Sequence, residues 1–310
     1  MKSIKTLIFF FLFQQLLFSY EIEDFLEILA NSSWQDLKPK TGLVLSGGAA
    51  RGVAHIGVLE AFDEENFKVD VIGGVSVGAI VGALYASGKS ALDISKIGEF
   101  LTWKNLIEVK VTPTRLLNLS GIISNERMSS FLKSYIGDKT FSDLKITFVC
   151  IACDLRTGEE IVFDSGKLIP AVRASSAVPG LFEPVSFSHR ILVDGGVVDN
   201  VPVETVRRKG AQFVIVSWTG GGEVFKEQGD IISILTQVIA ISGKLIASEK
   251  LEKADFVISP DLSDIKPTDL DRFDEIRERG YFAAKENYKK LRKEFLKRVL
   301  LNFSQKNEKK

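Results

Sequence analysis

The most informative stretch of this sequence is VDVIGGVSVGAIVGALYA, residues 69–86. Its first part is short and apolar, as in a buried strand, and its last part is a run of small apolar residues that suits a helix. Between them lies Ser76, with Gly74 and Gly78 on either side. A sharp strand-to-helix turn crowds the backbone, and small residues relieve the crowding. The pattern therefore predicts a nucleophile elbow at Ser76.

The segments around this stretch continue the alternation of strands and helices. Residues 42–45 are predicted to form a buried strand and 53–64 a helix, so the chain begins as strand-helix-strand-helix. This order favours a parallel α/β sheet. Residues 91–145 are predicted to be mostly helical and less regular. Further strands are predicted near 146–153, 159–163, 190–193, 212–217 and 256–259, and further helices near 167–175, 231–251 and 271–300.

Length and composition are those of a globular protein with a full core. The 310 residues are 45% hydrophobic and 26% charged, and 40 basic residues balance 40 acidic ones, so nothing indicates nucleic-acid binding. We predict a connector at 20–40, one domain at 41–260 and a basic helical extension at 261–310. The basic tail is interpreted as a solvated helix face, with contact to an anionic membrane surface as the alternative.

The N-terminus differs from the rest of the chain. Lys2 and Lys5 precede the apolar run 7–13. A basic start followed by a short apolar stretch is typical of a signal peptide. We therefore predict that residues 1–19 direct export, to the periplasm, the medium or the membrane surface. An uncleaved anchor is the alternative, although a spanning helix needs ~20 apolar residues.

Three glycine-marked turns each follow a predicted strand: SGGAARG at 46–52, the Ser76 turn, and Asp-Gly-Gly at 194–196. Open α/β sheets place ligand sites at such strand ends. The first turn precedes a helix, where backbone N–H groups are available to an anion. It lacks the Gly-Lys-Ser/Thr of a P-loop, and Ala49 stands where a dinucleotide fingerprint has its second glycine.

A serine nucleophile needs a base, which is usually histidine. The chain has only His55 and His189. His55 falls in the first predicted helix and is interpreted as structural. His189 lies five residues before Asp194, and a triad through it is an alternative. Such a triad would run Ser-His-Asp along the chain, whereas α/β-hydrolases run Ser-Asp-His.

The two cysteines, Cys150 and Cys153, lie in an apolar run that is predicted to be a strand. Positions i and i+3 of a strand face opposite sides. A redox pair usually lies at a helix N-terminus instead, where the thiolate is stabilised. We interpret both as buried core thiols.

The ordered set Gly-Gly-x-x-Arg-Gly, Gly-x-Ser-x-Gly and Asp-Gly-Gly resembles the patatin-like phospholipase family of acyl hydrolases. The likeness runs from about Gly42 to Pro202, and more loosely to Ser259. It implies a three-layer α/β/α sandwich with a mainly parallel central sheet. It also implies a serine acyl hydrolase whose substrates are fatty-acyl esters, with membrane phospholipid or lysophospholipid favoured.

The resemblance implies a Ser-Asp dyad, with Ser76 as the nucleophile and Asp194 as its base. Backbone N–H groups of Gly47, Gly48 and Ala49 would form the oxyanion hole. Ala49 departs from the family pattern, which often has glycine there, and a backbone angle that favours glycine would distort the hole. The residues expected to support the motifs are Arg51, which would hold the first loop in shape, and Gly52, Gly74, Gly78, Gly195 and Gly196.

The chemistry so implied needs neither a metal nor a cofactor. In a partly desolvated site the pKa of a carboxylate rises, so it accepts the serine proton, and N–H donors stabilise the charge that develops on the ester oxygen. We expect a lipid or membrane-surface substrate and no nucleic acid. Segments 101–123 and 219–232 are candidate lid or acyl-pocket segments. A small-ester esterase or thioesterase with the same dyad, and a non-catalytic membrane-associated protein, are the alternatives.

Overall fold

The computed structural model describes residues 38–99, 125–220 and 231–308. In these ranges eight strands form one sheet: β1 (Thr41–Leu45), β2 (Val71–Gly74), β3 (Thr147–Asp154), β4 (Glu160–Phe163), β5 (Val185–Phe187), β6 (Arg190–Asp194), β7 (Phe213–Ser217) and β8 (Phe256–Ile258). The strand order is β5-β6-β3-β2-β1-β7-β8, and β4 pairs with β3. Strands β3, β2, β1, β7 and β8 are parallel, whereas β4 and β6 run antiparallel to β3 and β5 antiparallel to β6.

The helices of the described ranges are α1 (Ala54–Glu64), α2 (Val77–Ala86), α3 (Ala91–Glu99), α4 (Asn125–Ile136), α5 (Leu168–Ser175), α6 (Val203–Arg208), α7 (Ile231–Glu252) and α8 (Phe273–Glu308). The strands and helices predicted at named positions are all present, with shifted ends. β5 and α6 were not predicted, because elements of three and six residues are too short to show a periodicity.

The central strands are buried on both faces, which explains why they read as continuous apolar runs. Leu43 and Leu45 of β1 face a core shared with α1 to α5 and α8. Val44 faces a second core that Val206 of α6 and Ala247 of α7 complete. Helices therefore cover both faces of a mixed but mostly parallel sheet, and the predicted three-layer α/β/α sandwich is confirmed.

Contacts within the chain place Lys40–Phe295 in one compact unit, and α8 from Leu296 onward belongs to a second unit. Position 260, where we expected the domain to end, is therefore not the limit of the compact unit. The reason is close packing of α8 on α1. A Cβ added to Gly57 would lie 1.9 Å from the carbonyl oxygen of Arg277.

The expected leader at 1–19, the connector up to residue 37, the candidate segment 101–123 and positions 221–230 of the second candidate segment lie outside the described residues. Among the residues that are described, no helix has the length and apolar character needed to cross a bilayer.

Candidate active site

Strand pairing brings the glycine-marked turns to one edge of the sheet. β1 and β2 are parallel neighbours, so the loops that follow them emerge together. Along β3, Gly74 pairs with Cys150 and Asp194 pairs with Ala152. β4 pairs with both Cys150 and Ala152, so β4 lies on one side of β3, and β2 and β6 both lie on the other side. β6 therefore continues along β3 from the point where β2 ends. This places Asp194 close to Ser76, which lies two residues beyond Gly74.

Ser76 adopts a strained backbone conformation at the start of α2. Its φ is 56° and its ψ is −127°, and its side chain makes no capping hydrogen bond. Such an angle costs a non-glycine residue roughly 1–3 kcal/mol and must be held by its surroundings. The Ser76 N–H donates to the Ser175 carbonyl at 3.2 Å, and the Ser176 hydroxyl donates to the Ser76 carbonyl at 3.1 Å. A Cβ on Gly78 would lie 2.2 Å from the Leu45 carbonyl oxygen, so glycine is required for this close approach.

Asp194 ends β6 and is buried. Its Oδ1 accepts the Gly196 N–H at 2.8 Å. Its Oδ2 is buried without a hydrogen-bond partner of ordinary geometry among the described residues. Burial raises the pKa of Asp194 to about 6, and the nearby Ser76 hydroxyl and the Gly196 N–H oppose that rise. A carboxylate of this kind is a better proton acceptor than one in water.

Residues 175–177 hold both members of the pair. Besides the bonds to Ser76, the carbonyl of Ala177 accepts the Asp194 N–H at 2.9 Å. This segment was not predicted to belong to the site. Its signal is a run of small residues at 174–177, at the end of a predicted helix and before the turn dipeptide Pro179-Gly180.

The first glycine turn offers two free donors. The Gly47 N–H donates to Asn200 Oδ1 at 2.8 Å, so it is occupied, in contrast to the expectation that it would bind an oxyanion. The Ala50 N–H donates to the Pro267 carbonyl at 3.1 Å. No hydrogen bond is made by the N–H groups of Gly48 and Ala49 within the described part of the chain. These two groups remain for an anion.

The remaining motif residues fix this arrangement. Arg51 Nε donates to the Ile265 carbonyl at 2.6 Å and so fastens the first turn to the segment before α8. A Cβ on Gly47 would lie 3.2 Å from Ser76 Cβ, so glycine lets the turn approach the serine. Ala49 has a φ of 50°, the left-handed angle that favours glycine. The other glycines lie beside Ser76 or Asp194. Gly52 packs against Val77, and Gly74 ends β2. Gly195 and Gly196 form the turn after β6.

His55 is buried below the first turn rather than beside Ser76. Its Nε2 lies 2.8 Å from the Ser46 carbonyl oxygen, which can only accept, so Nε2 carries the proton. Its Nδ1 then accepts from the Ser217 hydroxyl at 2.7 Å. Burial lowers the pKa of His55 to about 4, so the ring is neutral at neutral pH. It joins α1 to the ends of β1 and β7, in agreement with a structural role.

His189 lies in the exposed turn between β5 and β6, where its carbonyl accepts from Arg156 at 3.3 Å. Asp194 stands at the other end of β6. Five residues of extended strand separate the two, about 16 Å. A triad that includes His189 is therefore excluded.

Both cysteines are free and buried on β3, as expected for core thiols. Burial raises the pKa of Cys150, so its thiol stays protonated. In the described ranges no three His, Cys, Asp or Glu side chains are grouped to hold a metal ion.

Two cavities meet at Ser76, and Ala49 and Val178 line both. The second has a volume of about 80 Å³ and contains Asp194 and the first turn. The first has a volume of about 120 Å³ and an almost wholly apolar lining. Its larger side chains are Val53, Ile56, Val77, Ile80, Val81, Leu84, Ile94, Ile97, Met128, Phe131, Val178, Leu181, Phe182, Leu270 and Phe273.

Comparison with known proteins agrees with this site. The family model described as patatin-like phospholipase matches residues 43–207, more than half of the chain. The chain belongs to the patatin-like phospholipase family. The resemblance inferred from the three motifs is thereby confirmed, and the expected enzyme class, a hydrolase, is the class of that family.

The relatives of this member of the patatin-like phospholipase family match over part of their length. An uncharacterized NTE family protein of Mycobacterium tuberculosis is 33% identical over 189 residues, which are 60% of this chain and 50% of the relative. A patatin-like phospholipase domain-containing protein of Caenorhabditis elegans is 34% identical over 190 residues, 59% of this chain and 14% of that protein. The chain thus spans half or less of these relatives. VipD from Legionella pneumophila shares the fold, with a TM-score of 0.52 and 17% identity over 80% of this chain and 66% of its own.

Two residues that sequence reasoning did not assign are built into this patatin-like site. Asn200 binds Gly47, as described above, and the preceding Asp199 is ion-paired with Lys250 of α7. Asp199 also accepts the Val201 N–H at 2.9 Å. The buried ion pair therefore fixes the turn that carries Asn200. Residues 199–202 follow Asp-Gly-Gly closely, and that proximity is the signal in the sequence.

Proposed function

We propose that this chain is a serine acyl hydrolase that cleaves fatty-acyl esters of lipids through a Ser76–Asp194 dyad. One observation carries the proposal. Ser76 lies where an almost wholly apolar cavity meets a second, less apolar cavity that holds Asp194 and the backbone N–H groups of Gly48 and Ala49, which make no hydrogen bond within the described residues. An ester of a fatty acid has the same division, with an apolar chain on one side of the carbonyl and a polar alcohol on the other.

Acylation follows from the placement of these groups. Ser76 Oγ attacks the ester carbonyl carbon while its proton passes to Asp194 Oδ2, since Oδ1 already accepts the Gly196 N–H. Negative charge moves to the carbonyl oxygen, where the N–H groups of Gly48 and Ala49 stabilise it. When the intermediate collapses, the carbon–alcohol bond breaks and Asp194 returns the proton to the leaving alcohol oxygen.

Deacylation repeats these steps with water as the nucleophile. Asp194 accepts a proton from a water molecule whose oxygen attacks the acyl-Ser76 carbonyl. The same two N–H groups stabilise the second intermediate. Its collapse breaks the bond to Ser76 Oγ, which takes the proton from Asp194, and the fatty acid leaves. A pKa of about 6 suits both steps, since the carboxylate is ionised at neutral pH yet basic enough to accept a proton.

The substrate class is supported by the first cavity. Its lining of aliphatic and aromatic side chains suits a fatty-acyl chain, and burial of methylene groups there contributes about 0.8 kcal/mol each. A small-ester esterase would gain little from such a lining. We therefore propose a lipid, or a lipid at a membrane surface, as the substrate.

The test is a series of 4-nitrophenyl esters of increasing chain length and a phospholipid, offered to the purified protein and its Ser76→Ala and Asp194→Asn variants. We expect kcat/KM to rise with chain length, Ser76→Ala to be inactive, and Asp194→Asn to lose at least ~10²-fold. Activity that is equal in all three proteins contradicts the dyad. A preference for the shortest ester contradicts the lipid substrate.

We also propose that the protein acts outside the cytoplasm. The support is the sequence pattern of residues 1–19. Fractionation of expressing cells, with a cytoplasmic marker enzyme as the control, tests this. Recovery of the full-length chain only in the cytoplasmic fraction contradicts it.

A further inference from the structure

Helix α7 presents a row of exposed aliphatic side chains that the proposed chemistry does not use. The row consists of Ile234, Val238, Ile241 and Leu245, which are between 40% and 73% exposed. Spacings of four, three and four residues place them on one face of the helix. Single exposed aliphatic residues are ordinary, whereas a contiguous row marks an interaction surface.

The opposite face of α7 packs on the catalytic turns. At 100° per residue, Gly243 lies about 180° around the helix from Ile234. A Cβ added to Gly243 would lie 3.5 Å from the Gly196 carbonyl oxygen, and Ala247 is fully buried. Two further residues of α7, at positions 239 and 240, line the cavity that contains Asp194. Helix α7 is thus a wall between the catalytic cavity and the surface that carries the row.

We propose that this row docks the protein on the surface of a lipid aggregate, a bilayer or a micelle. The inference rests on the proposed function, because an acyl lipid must leave such an aggregate to enter a cavity walled by α7. Charge favours the same occupant. Between residues 231 and 248 the only charged side chain is the exposed Lys244, a cation that suits anionic headgroups.

The dimensions of the row argue against a second copy of the chain. From Ile234 to Leu245 the row spans 11 residues, about 17 Å of helix. This is shorter than the roughly three to four heptads over which a coiled-coil seam is recognised, so the row lacks the pattern of a coiled coil between two copies. A lipid surface has no such length requirement, because each aliphatic side chain inserts by itself.

The experiment uses the full chain with Ile241→Gln and Leu245→Gln combined. Glutamine is a good helix former, and both positions lie away from the face that packs on the catalytic turns. The matched control is Leu155→Gln, since Leu155 is a similarly exposed leucine outside α7. Each protein is sedimented with phosphatidylcholine–phosphatidylglycerol vesicles and assayed on vesicle phospholipid and on soluble 4-nitrophenyl butyrate.

We expect the double variant to lose at least tenfold in vesicle binding and in vesicle hydrolysis, with butyrate hydrolysis unchanged. The Leu155→Gln control should match the wild type in all three assays. If the wild type binds vesicles through the row but hydrolyses neither substrate, the docking surface stands and the proposed function fails.

Three results overturn the docking surface. One is vesicle binding that is equal in the double variant and the wild type, or absent from both. A second is an equal fall in both hydrolysis rates, which would mean that the row only supports the cavity. The third is a wild-type dimer that the double variant converts to a monomer without loss of vesicle binding, which would assign the row to a second copy.

Discussion

Single residues of the site hold conformations and charges that are unfavourable in themselves. Ser76 and Ala49 have left-handed backbone angles, and Asp194 carries a buried carboxyl whose Oδ2 has no hydrogen-bond partner of ordinary geometry among the described residues. Each feature has a use in the proposed reaction. The angle at Ser76 presents the hydroxyl to the cavities, the angle at Ala49 shapes the donor turn, and Oδ2 of Asp194 accepts a proton. The surrounding fold offsets these costs.

Ala49→Gly should stabilise the protein. An alanine at a φ of 50° costs roughly 1 kcal/mol, and glycine removes that cost while losing part of the gain to its greater freedom in the unfolded chain. We expect a gain of up to about 1 kcal/mol in the free energy of unfolding, with activity retained. Urea denaturation measures it.

The neighbouring Ala50→Gly is the control for that substitution. Ala50 has no left-handed angle and is buried, so glycine there should destabilise by roughly 1 kcal/mol. Equal losses of stability in both variants would show that the angle at Ala49 carries no strain.

At the scale of elements, strand register and the ends of helices place the reacting groups. β6 continues beside β3 where β2 stops, which sets Asp194 against Ser76. The segment at the end of α5 then holds the backbones of both. The turn after β6 reaches the first glycine turn through Asn200, so hydrogen bonds join both of these turns and the end of α5 to the Ser76 turn or to Asp194.

Asn200→Leu should lower kcat roughly 10-fold or more with little change in KM. Loss of the hydrogen bond to Gly47 lets the first glycine turn move. The N–H donors of that turn stabilise charge that develops only in the transition state, so their misplacement lowers kcat. Steady-state kinetics on one ester measures both constants. Asn200→Asp keeps an acceptor for the Gly47 N–H, so its kcat should lie above that of Asn200→Leu. A rise in KM alone would show that Asn200 contacts substrate rather than aligning the turn.

The fold of the whole molecule could be predicted from the sequence because its strong signals are local. Glycine-marked turns such as 74–78 lie within a few residues of the strands and helices they join. The bond between Gly47 and Asn200 joins residues 153 apart, and no local pattern encodes it. The apolar cavity likewise draws on α1 to α4 and the start of α8, and the raised pKa of Asp194 depends on burial that only the assembled fold creates.

Stability as a function of pH is a property of the whole molecule that Asp194 affects. Its pKa is 3.8 when unfolded and about 6 when folded, so between these values the folded state binds more protons. The contribution of Asp194 to the free energy of unfolding should therefore fall as the pH rises from about 4 to 6, by about 3 kcal/mol. Asp194→Asn removes this loss, and we expect it to be more stable than the wild type at pH 7.5 but not at pH 4.

Thermal unfolding at the two pH values measures this difference. Asp154→Asn is the control. The Arg156 N–H and Arg190 lower the pKa of Asp154, so removal of this carboxylate should destabilise the protein at pH 7.5.

The dependence of stability on pH should be flatter in the wild type than in Asp194→Asn. The pKa of His55 is lowered to about 4, so His55 makes stability rise between about pH 4 and 6.5 and opposes Asp194. An Asp194→Asn protein that is less stable at pH 7.5 would contradict the burial cost.

The most direct test of the Ser76–Asp194 dyad is covalent labelling by an alkyl fluorophosphonate, followed by mass spectrometry across a range of pH. The dyad predicts one adduct per chain, on the peptide that contains Ser76. Its rate of formation should rise with a midpoint near pH 6 and fall at least ~10²-fold in Asp194→Asn. An adduct on another residue, or an equal rate in Asp194→Asn, would contradict the dyad.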